Sequence, residues 1–255
     1  MTTLVVGATG ATGKLLVDQL LDRGQHVKAI VRSSDRLPKA VREHPNLSII
    51  QASILELTDQ EMAEHVKGCS AVASCLGHNL SFKGLFGRPR RLVTDATRRL
   101  CEAIKANQSE QLSKFVLMNT TGVRNRDLDE QISVAQHLVI GLLCVCLPPH
   151  ADNENAADYL RTKIGQDDKA VEWATVRPDG LIDQDVVSEY ELYASPTRSA
   201  IFNAGKTSRI NVGHFMADLI TRPEVWLQWK GQMPVIYNNA EQDGGGQAAA
   251  RSEST

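Results

Sequence analysis

Apolar and polar positions along this chain fall into two alternating rhythms. Short apolar runs suited to strands occur at Thr3 to Val6, His26 to Val31, Leu47 to Gln51, Ala71 to Leu76, Lys114 to Asn119 and Glu172 to Val176. Between them, apolar residues recur at helical spacing at Lys14 to Leu21, Thr58 to Val66, Leu92 to Ala106 and Glu154 to Ile164. That alternation predicts an α/β fold, a doubly wound parallel sheet with helices on both faces. Val235 to Tyr237 is read as a late edge strand. Ligands in such sheets bind beyond the carboxyl ends of the strands, so residues at those ends carry the functional reading.

The first strand runs directly into Gly7-Ala-Thr-Gly10-Ala-Thr-Gly13-Lys14, and the helix that follows stops at Gly24. Gly7 turns the backbone sharply off the strand, Gly10 lets it approach a pyrophosphate, and Gly13 lets the helix pack closely on the sheet. The helix then points its free N–H groups and positive dipole end at the phosphates. A turn of small residues alone would be an ordinary loop, but the second strand at His26 to Val31 completes the βαβ unit of a dinucleotide site. Candidate cofactor contacts at this turn are Gly7, Thr9, Gly10, Ala11, Thr12 and Gly13. Past the second strand an NAD site places an acidic residue for the ribose 2′-hydroxyl, whereas this chain has Arg32-Ser33-Ser34-Asp35-Arg36. Arg32, Ser33 and Arg36 suit a 2′-phosphate, which predicts NADP(H) over NAD(H); Asp35 is read as the cap of the next short helix. The glycine spacing resembles the short-chain dehydrogenase/reductase superfamily, in its atypical and extended branches, and implies a Rossmann-like fold.

Length and charge narrow the class. With 255 residues and no linker before residue 240, residues 1–240 are expected to form one domain with its own core. Residues 241–255 carry Gly-Gly-Gly, Ala-Ala-Ala and Arg-Ser-Glu-Ser-Thr, and read as a disordered tail. The balance of 28 basic and 30 acidic residues, with a pI near 6.4, argues against a nucleic-acid partner and for a small-molecule substrate. No apolar run reaches the roughly 18 residues of a membrane span, and the first strand starts too early for a signal peptide, so a cytoplasmic protein without a membrane partner is expected. Cys69, Cys75, Cys101, Cys144 and Cys146 are odd in number and lack Cys-x-x-Cys pairing, which suggests neither disulfides nor zinc. The seven histidines lack ligand spacing, so no metal is expected.

The strand ends supply the remaining candidates. Ser53 and Ile54 follow the third strand, beside the adenine. Leu76, Gly77 and His78 follow the fourth, where Gly77 lets the backbone run close to the nicotinamide half. Thr120 and Thr121 follow the fifth, and Arg177-Pro178-Asp179 end the sixth, with Pro178 placed at the cofactor. In the superfamily this chain resembles, a hydroxyl at the end of the fifth strand hydrogen-bonds the substrate carbonyl, a role that falls to Thr121. Tyr159-Leu-Arg-Thr-Lys163 matches its Tyr-x-x-x-Lys pattern. At i and i+4 both side chains share a helical face, so the Lys163 cation can lower the Tyr159 phenol and make it an acid or base. A surface pair on an amphipathic helix is the alternative. His78 to Arg91 mixes Phe82, Leu85 and Phe86 with glycines and cations, as a substrate lid would. Leu138 to Leu147 is apolar nearly throughout and reads as a buried helix, a pocket wall or a dimer interface, leaving the chain a monomer or homodimer.

Over residues 1 to about 225 the chain resembles the biliverdin reductase B/flavin reductase group of atypical, NmrA-like short-chain reductases. The matching stretches are Gly7 to Gly10, Val31 to Pro38, Leu76-Gly77, Thr120-Thr121 and Arg209 to Met216. The resemblance implies NADPH-dependent hydride transfer to a small aromatic or conjugated acceptor: a flavin, quinone, tetrapyrrole or carbonyl compound. Members of that group carry serine where Thr121 stands and histidine where Asp179 stands, so the hydroxyl is retained and the imidazole is lost. Two other functions stay open: a redox sensor that binds the dinucleotide without turnover, and a sugar-nucleotide epimerase or dehydratase.

Overall fold

The structure is a computed structural model that describes residues 1–78, 87, 89–108, 111–128, 130, 148–199 and 202–239. In chain order the elements are β1 (Thr2–Val6), α1 (Ala11–Asp22), β2 (His26–Val31), α2 (Lys39–Arg42), β3 (Leu47–Gln51), α3 (Asp59–Val66), β4 (Ala71–Ser74), α4 (Leu92–Ala106), β5 (Ser113–Met118) and α5 (Pro148–Tyr159), which runs on as a π-helical turn, Leu160–Ile164. Then follow β6 (Val171–Pro178), β7 (Gly180–Ile182), β8 (Tyr190–Tyr193), β9 (Lys206–Ser208), α6 (Arg209–Thr221), α7 (Pro223–Trp229) and β10 (Val235–Asn238).

The expected Rossmann-like fold is present. One eight-stranded sheet has the order β3-β2-β1-β4-β5-β6-β10-β8. Its pairings are parallel except for β8, which runs antiparallel on β10. Because successive strand residues point to opposite faces, Leu4 and Val6 pack into one core layer and Val5 into the other. The first layer lies under α3, α4 and α5, with Met62, Leu100 and Leu160 fully buried. The second lies under α1, α6 and α7, with Leu16, Phe215 and Trp226. The chain reverses on either side of β1, to β2 on one flank and β4 on the other, so the ligand crevice belongs at the carboxyl end between them.

Two readings of the sequence change. Val235 to Tyr237 is an interior strand: β10 sits between β6 and β8, and Val235 and Ile236 are 0% exposed, as pairing on both sides requires. The edge beyond it is β8, Tyr190–Tyr193, a strand absent from the expected set. The helix expected over Glu154 to Ile164 begins at Pro148, and its last turn widens to an i→i+5 bond from Gly165 N–H to Leu160 C=O. Most of the expected lid, the apolar run Leu138 to Leu147 and the tail after residue 240 lie outside the described residues.

A buried cation ties the carboxyl end of the sheet together. Arg177 on β6 is fully buried; it donates to the carbonyls of Met233 at 2.6 Å, Val123 at 2.9 Å and Ala194 at 3.0 Å, and to the Glu130 carboxylate at 2.7 Å. Glu130 in turn accepts the Asn125 N–H at 2.8 Å, fixing the loop that leaves β5. Removing one member strands the other's charge out of water. The substitution Arg177→Met is therefore expected to cost about 3–5 kcal/mol of unfolding free energy in a urea titration, and a loss below about 1 kcal/mol would refute the assignment of this pair as a structural anchor.

Candidate functional site

The turn from β1 into α1 is built by close approach. Gly7 has φ of +77°, and a Cβ placed on it would lie 2.5 Å from both the carbonyl carbon and oxygen of Cys75 on the neighbouring β4 exit. At Gly13 a Cβ would lie 2.1 Å from the Gly7 carbonyl oxygen. Only glycine lets the strand turn and the helix start so near β4. Gly10 is the N-cap of α1 and makes no side-chain cap hydrogen bond. The first-turn N–H groups, on Ala11, Thr12 and Gly13, precede the point where intrahelical bonding begins, so they remain available to an anion.

This turn forms the floor of a cleft. Its walls are Val6, Gly7, Thr9 and Gly10 from β1 and the turn, Ile30, Val31, Arg32 and Arg36 from β2 and beyond, Ser53, Ile54 and Leu55 after β3, Cys75, Leu76 and Gly77 after β4, and Pro89 and Leu92 at the start of α4. Nine expected cofactor residues thus come together: Gly7, Thr9, Gly10, Arg32, Arg36, Ser53, Ile54, Leu76 and Gly77. Arg32 and Arg36 are exposed and have no ion-pair partner among the described residues. Asp35 faces elsewhere: its side chain is 87% exposed, accepts from the Ser33 hydroxyl at 2.9 Å and lies 3.8 Å from Arg42. It is not the expected helix cap, because Pro38 holds that position in α2. Ser33 is spent on Asp35 and does not line the cleft. Cys75 does, but burial pushes its thiol up to about 12, so it stays protonated.

Other candidates sit around the cleft rather than in it. His78 Nε2 lies 2.8 Å from the Asp152 carboxylate of α5. The Asp152 side chain is 0% exposed and accepts the N–H groups of Val93 and Thr94 at 2.8 and 2.9 Å and the Thr94 hydroxyl at 2.6 Å. It caps α4 from another helix, which explains why Arg91 at the N-cap makes no side-chain bond. Thr120 accepts the Gly122 N–H at 3.3 Å, and the Pro178 carbonyl accepts the Thr121 N–H at 3.0 Å. The Thr121 hydroxyl is buried and donates to Asp179 at 3.1 Å, while the other Asp179 oxygen accepts the Gly205 N–H at 2.8 Å. Asp179 thus ties the β6 exit to the segment entering β9.

Tyr159 and Lys163 depart from expectation. Tyr159 packs against the core under α4, and burial, reinforced by Cys101 and Glu102, pushes its phenol up to about 12. An activated tyrosine needs the opposite shift, and Lys163 is exposed and is not among the charges acting on the phenol. Sequence reasoning passed over Asp152, Leu55, Pro89 and Leu92. Of these, Leu92 alone carried a signal, as the first apolar residue of an amphipathic helix; a lone Asp in a polar helix start gives none.

The model of a protein family described as NAD(P)H-binding matches residues 7–223. A chloroplastic protein of Arabidopsis thaliana, itself described as uncharacterised, is 30% identical over 178 residues, or 69% of this chain; the match spans 58% of the plant protein's length. Among solved structures, the oxidoreductase ylbE from Lactococcus lactis has a TM-score of 0.67 at 16% identity, covering 94% of this chain and 91% of that one. A short-chain dehydrogenase/reductase from Veillonella parvula in complex with NADP gives 0.67 at 14% identity over 94% and 95% of the two chains. A candidate NADH-flavin reductase from Streptococcus pneumoniae gives 0.63 at 18% identity over 94% and 100%. At these identities the likeness is one of fold.

Gly10 can accept a side chain without refolding, since its φ of −76° suits any residue and a Cβ would meet nothing closer than the Gly7 oxygen at 3.1 Å. Gly10→Val is expected to fill the approach to the α1 N-terminus and weaken NADPH at least ~tenfold by calorimetry, the size of a lost hydrogen bond to a charged group, with little change in melting temperature. An unaltered dissociation constant would remove the phosphates from this turn.

Proposed function

We propose that this chain, which belongs to the NAD(P)H-binding family, is an NADPH-dependent oxidoreductase acting on a small aromatic or conjugated acceptor. Binding is supported by the fit of the cleft to a dinucleotide: a turn that Gly7 and Gly13 alone let pack so close to β4, an uncapped helix N-terminus at the phosphate position, and apolar Ile54 and Leu55 beside the adenine position. The observation that carries the choice of cofactor is the orientation of charge after β2. Arg32 and Arg36 line the cleft, while Asp35, the acidic residue that would select NAD, is turned out to solvent and held by Ser33 and Arg42. Two cations, with no carboxylate among the described residues of the cleft lining, favour a ribose 2′-phosphate over a 2′-hydroxyl.

The bound dinucleotide would supply hydride chemistry, and little is then demanded of the protein beyond orientation and exclusion of water. Here the chain holds the cofactor between β1, β2 and β4 and leaves the carboxyl ends of β4 and β5 for the acceptor. The acceptor class rests on the resemblance to the biliverdin reductase B/flavin reductase group. The free Cys69, Cys75 and Cys101 suit a reducing compartment such as the cytoplasm. A non-catalytic redox sensor is the second reading, favoured by one observation: the Thr121 hydroxyl is bonded to Asp179 and Tyr159 packs half-buried against the core, and neither lines the cleft.

Two measurements test these readings. NADPH is expected to bind ~10- to 100-fold more tightly than NADH, the worth of one or two hydrogen bonds to a charged group, and Arg32→Ser with Arg36→Ser to erase the difference; equal constants in the unaltered protein would sink the preference. NADPH oxidation is then followed against flavins, biliverdin, quinones and simple carbonyls. Turnover with a conjugated acceptor is the expected result, and tight binding with no oxidation of any acceptor would leave the sensor.

A further inference from the structure

We infer that His78 and Asp152 are positioning residues for the cofactor, a latch that sets two walls of the cleft from outside it; the inference rests on the dinucleotide reading above. The wall after β4 is Cys75, Leu76 and Gly77, and the wall at the start of α4 is Pro89 and Leu92. Both walls end one residue short of the Asp152 carboxylate. Gly77 precedes His78, whose Nε2 lies 2.8 Å from one carboxylate oxygen, and Leu92 precedes Val93, whose N–H donates to the same oxygen at 2.8 Å. The other oxygen accepts the Thr94 N–H at 2.9 Å. A carboxylate only accepts, so Nε2 carries the proton of the His78 bond.

The wall after β4 needs this tie. Its first residue, Cys75, is held by the close approach of Gly7. Gly77 has no such neighbour: a Cβ built on it would meet nothing within 4 Å, so packing does not confine a backbone that glycine already leaves permissive. The next residue supplies the constraint, since the His78 side chain is 6% exposed and bonded to Asp152. Asp152 is itself firmly placed. Its helix is fastened to the β5 exit, where the Asn153 carbonyl accepts the Asn119 side-chain amide at 2.9 Å, and Ala156 and Leu160 of the same helix stretch are fully buried.

The latch has two separable halves. Losing the His78 bond releases the Leu76–Gly77 wall while α4 keeps its cap from Asp152. Neither His78 nor Asp152 lines the cleft, so their effect on a bound dinucleotide passes through Leu76, Gly77 and Leu92. Latching and binding are then linked: a dinucleotide that uses both walls favours the latched state by the same factor by which unlatching weakens the dinucleotide.

The test reads both sides of that linkage in the full chain. Dissociation constants for NADPH are measured by calorimetry at a temperature where each variant is fully folded, so lost stability alone leaves them unchanged. His78→Leu is expected to weaken NADPH ~10- to 100-fold, the worth of one hydrogen bond to a charged group. His78→Gln, whose amide can still donate to Asp152, is expected to regain most of that loss. In the unaltered protein, solvent exchange of the His78 Nε2 proton, followed by NMR, is expected to slow on saturation with NADPH by the factor seen in His78→Leu. An unchanged constant in His78→Leu, an equal loss in His78→Gln, or an exchange rate that NADPH does not alter would overturn the latch and leave the cofactor site standing. Should His78→Leu not fold, the exchange rate decides alone. Failure of the unaltered protein to bind NADPH would overturn both.

Discussion

The structure depends on how closely β1 passes β4 as it leaves the sheet. At Gly7 the backbone comes so near Cys75 that a side-chain carbon would lie within 2.5 Å of its carbonyl. That contact fixes both the turn into α1 and the exit of β4, the two strand ends that bound the crevice where the chain reverses direction. Gly13 repeats the constraint from the helix side, against the Gly7 carbonyl. The cost of two glycines in this segment is conformational entropy in the unfolded chain. The return is a helix N-terminus brought to the sheet with its N–H groups uncovered.

A second constraint organises the other side of the crevice. The buried Asp152 carboxylate would be expensive to desolvate alone, but it receives two backbone N–H groups, a hydroxyl and the His78 imidazole. It thereby joins α5, the start of α4 and the segment after β4. Because Leu92 and Pro89 at the start of α4 are also cleft wall, the same carboxylate positions part of the cofactor face. Arg177 and Glu130 do the equivalent work between β5, β6 and β10. The carboxyl end of this sheet is thus held by charges buried in hydrogen-bonded networks, which accept little change in geometry.

How much of this was legible in the sequence follows from the range of the forces involved. The strand and helix rhythms and the glycine turn are local, and the sheet core follows them; Arg32, Ser53 and Gly77, each placed just after a strand, line the cleft, whereas Ser33, His78, Thr120 and Pro178 do not. The interior place of β10 was not legible, since three apolar residues look alike at an edge or between neighbours. Nor were the contacts beyond the cleft. Thr121 turns to Asp179 and Asp152 reaches α4 through contacts 58 residues apart or more, and no spacing rule encodes them.

The fate of the Tyr-x-x-x-Lys pattern shows why. The pattern guarantees that two side chains share a helical face; it does not say which face. In α5 the direction is set by Asp152. Successive residues turn about 100°, so Tyr159, seven positions on, points back nearly the same way as Asp152, toward α4. Ala156 and Leu160 lie on that stripe and are fully buried. Asn153, about 100° around the helix from Asp152, instead accepts the Asn119 side-chain amide after β5. The carboxylate that caps α4 therefore turns the tyrosine toward α4 and away from the cleft, whose described lining includes no residue of α5.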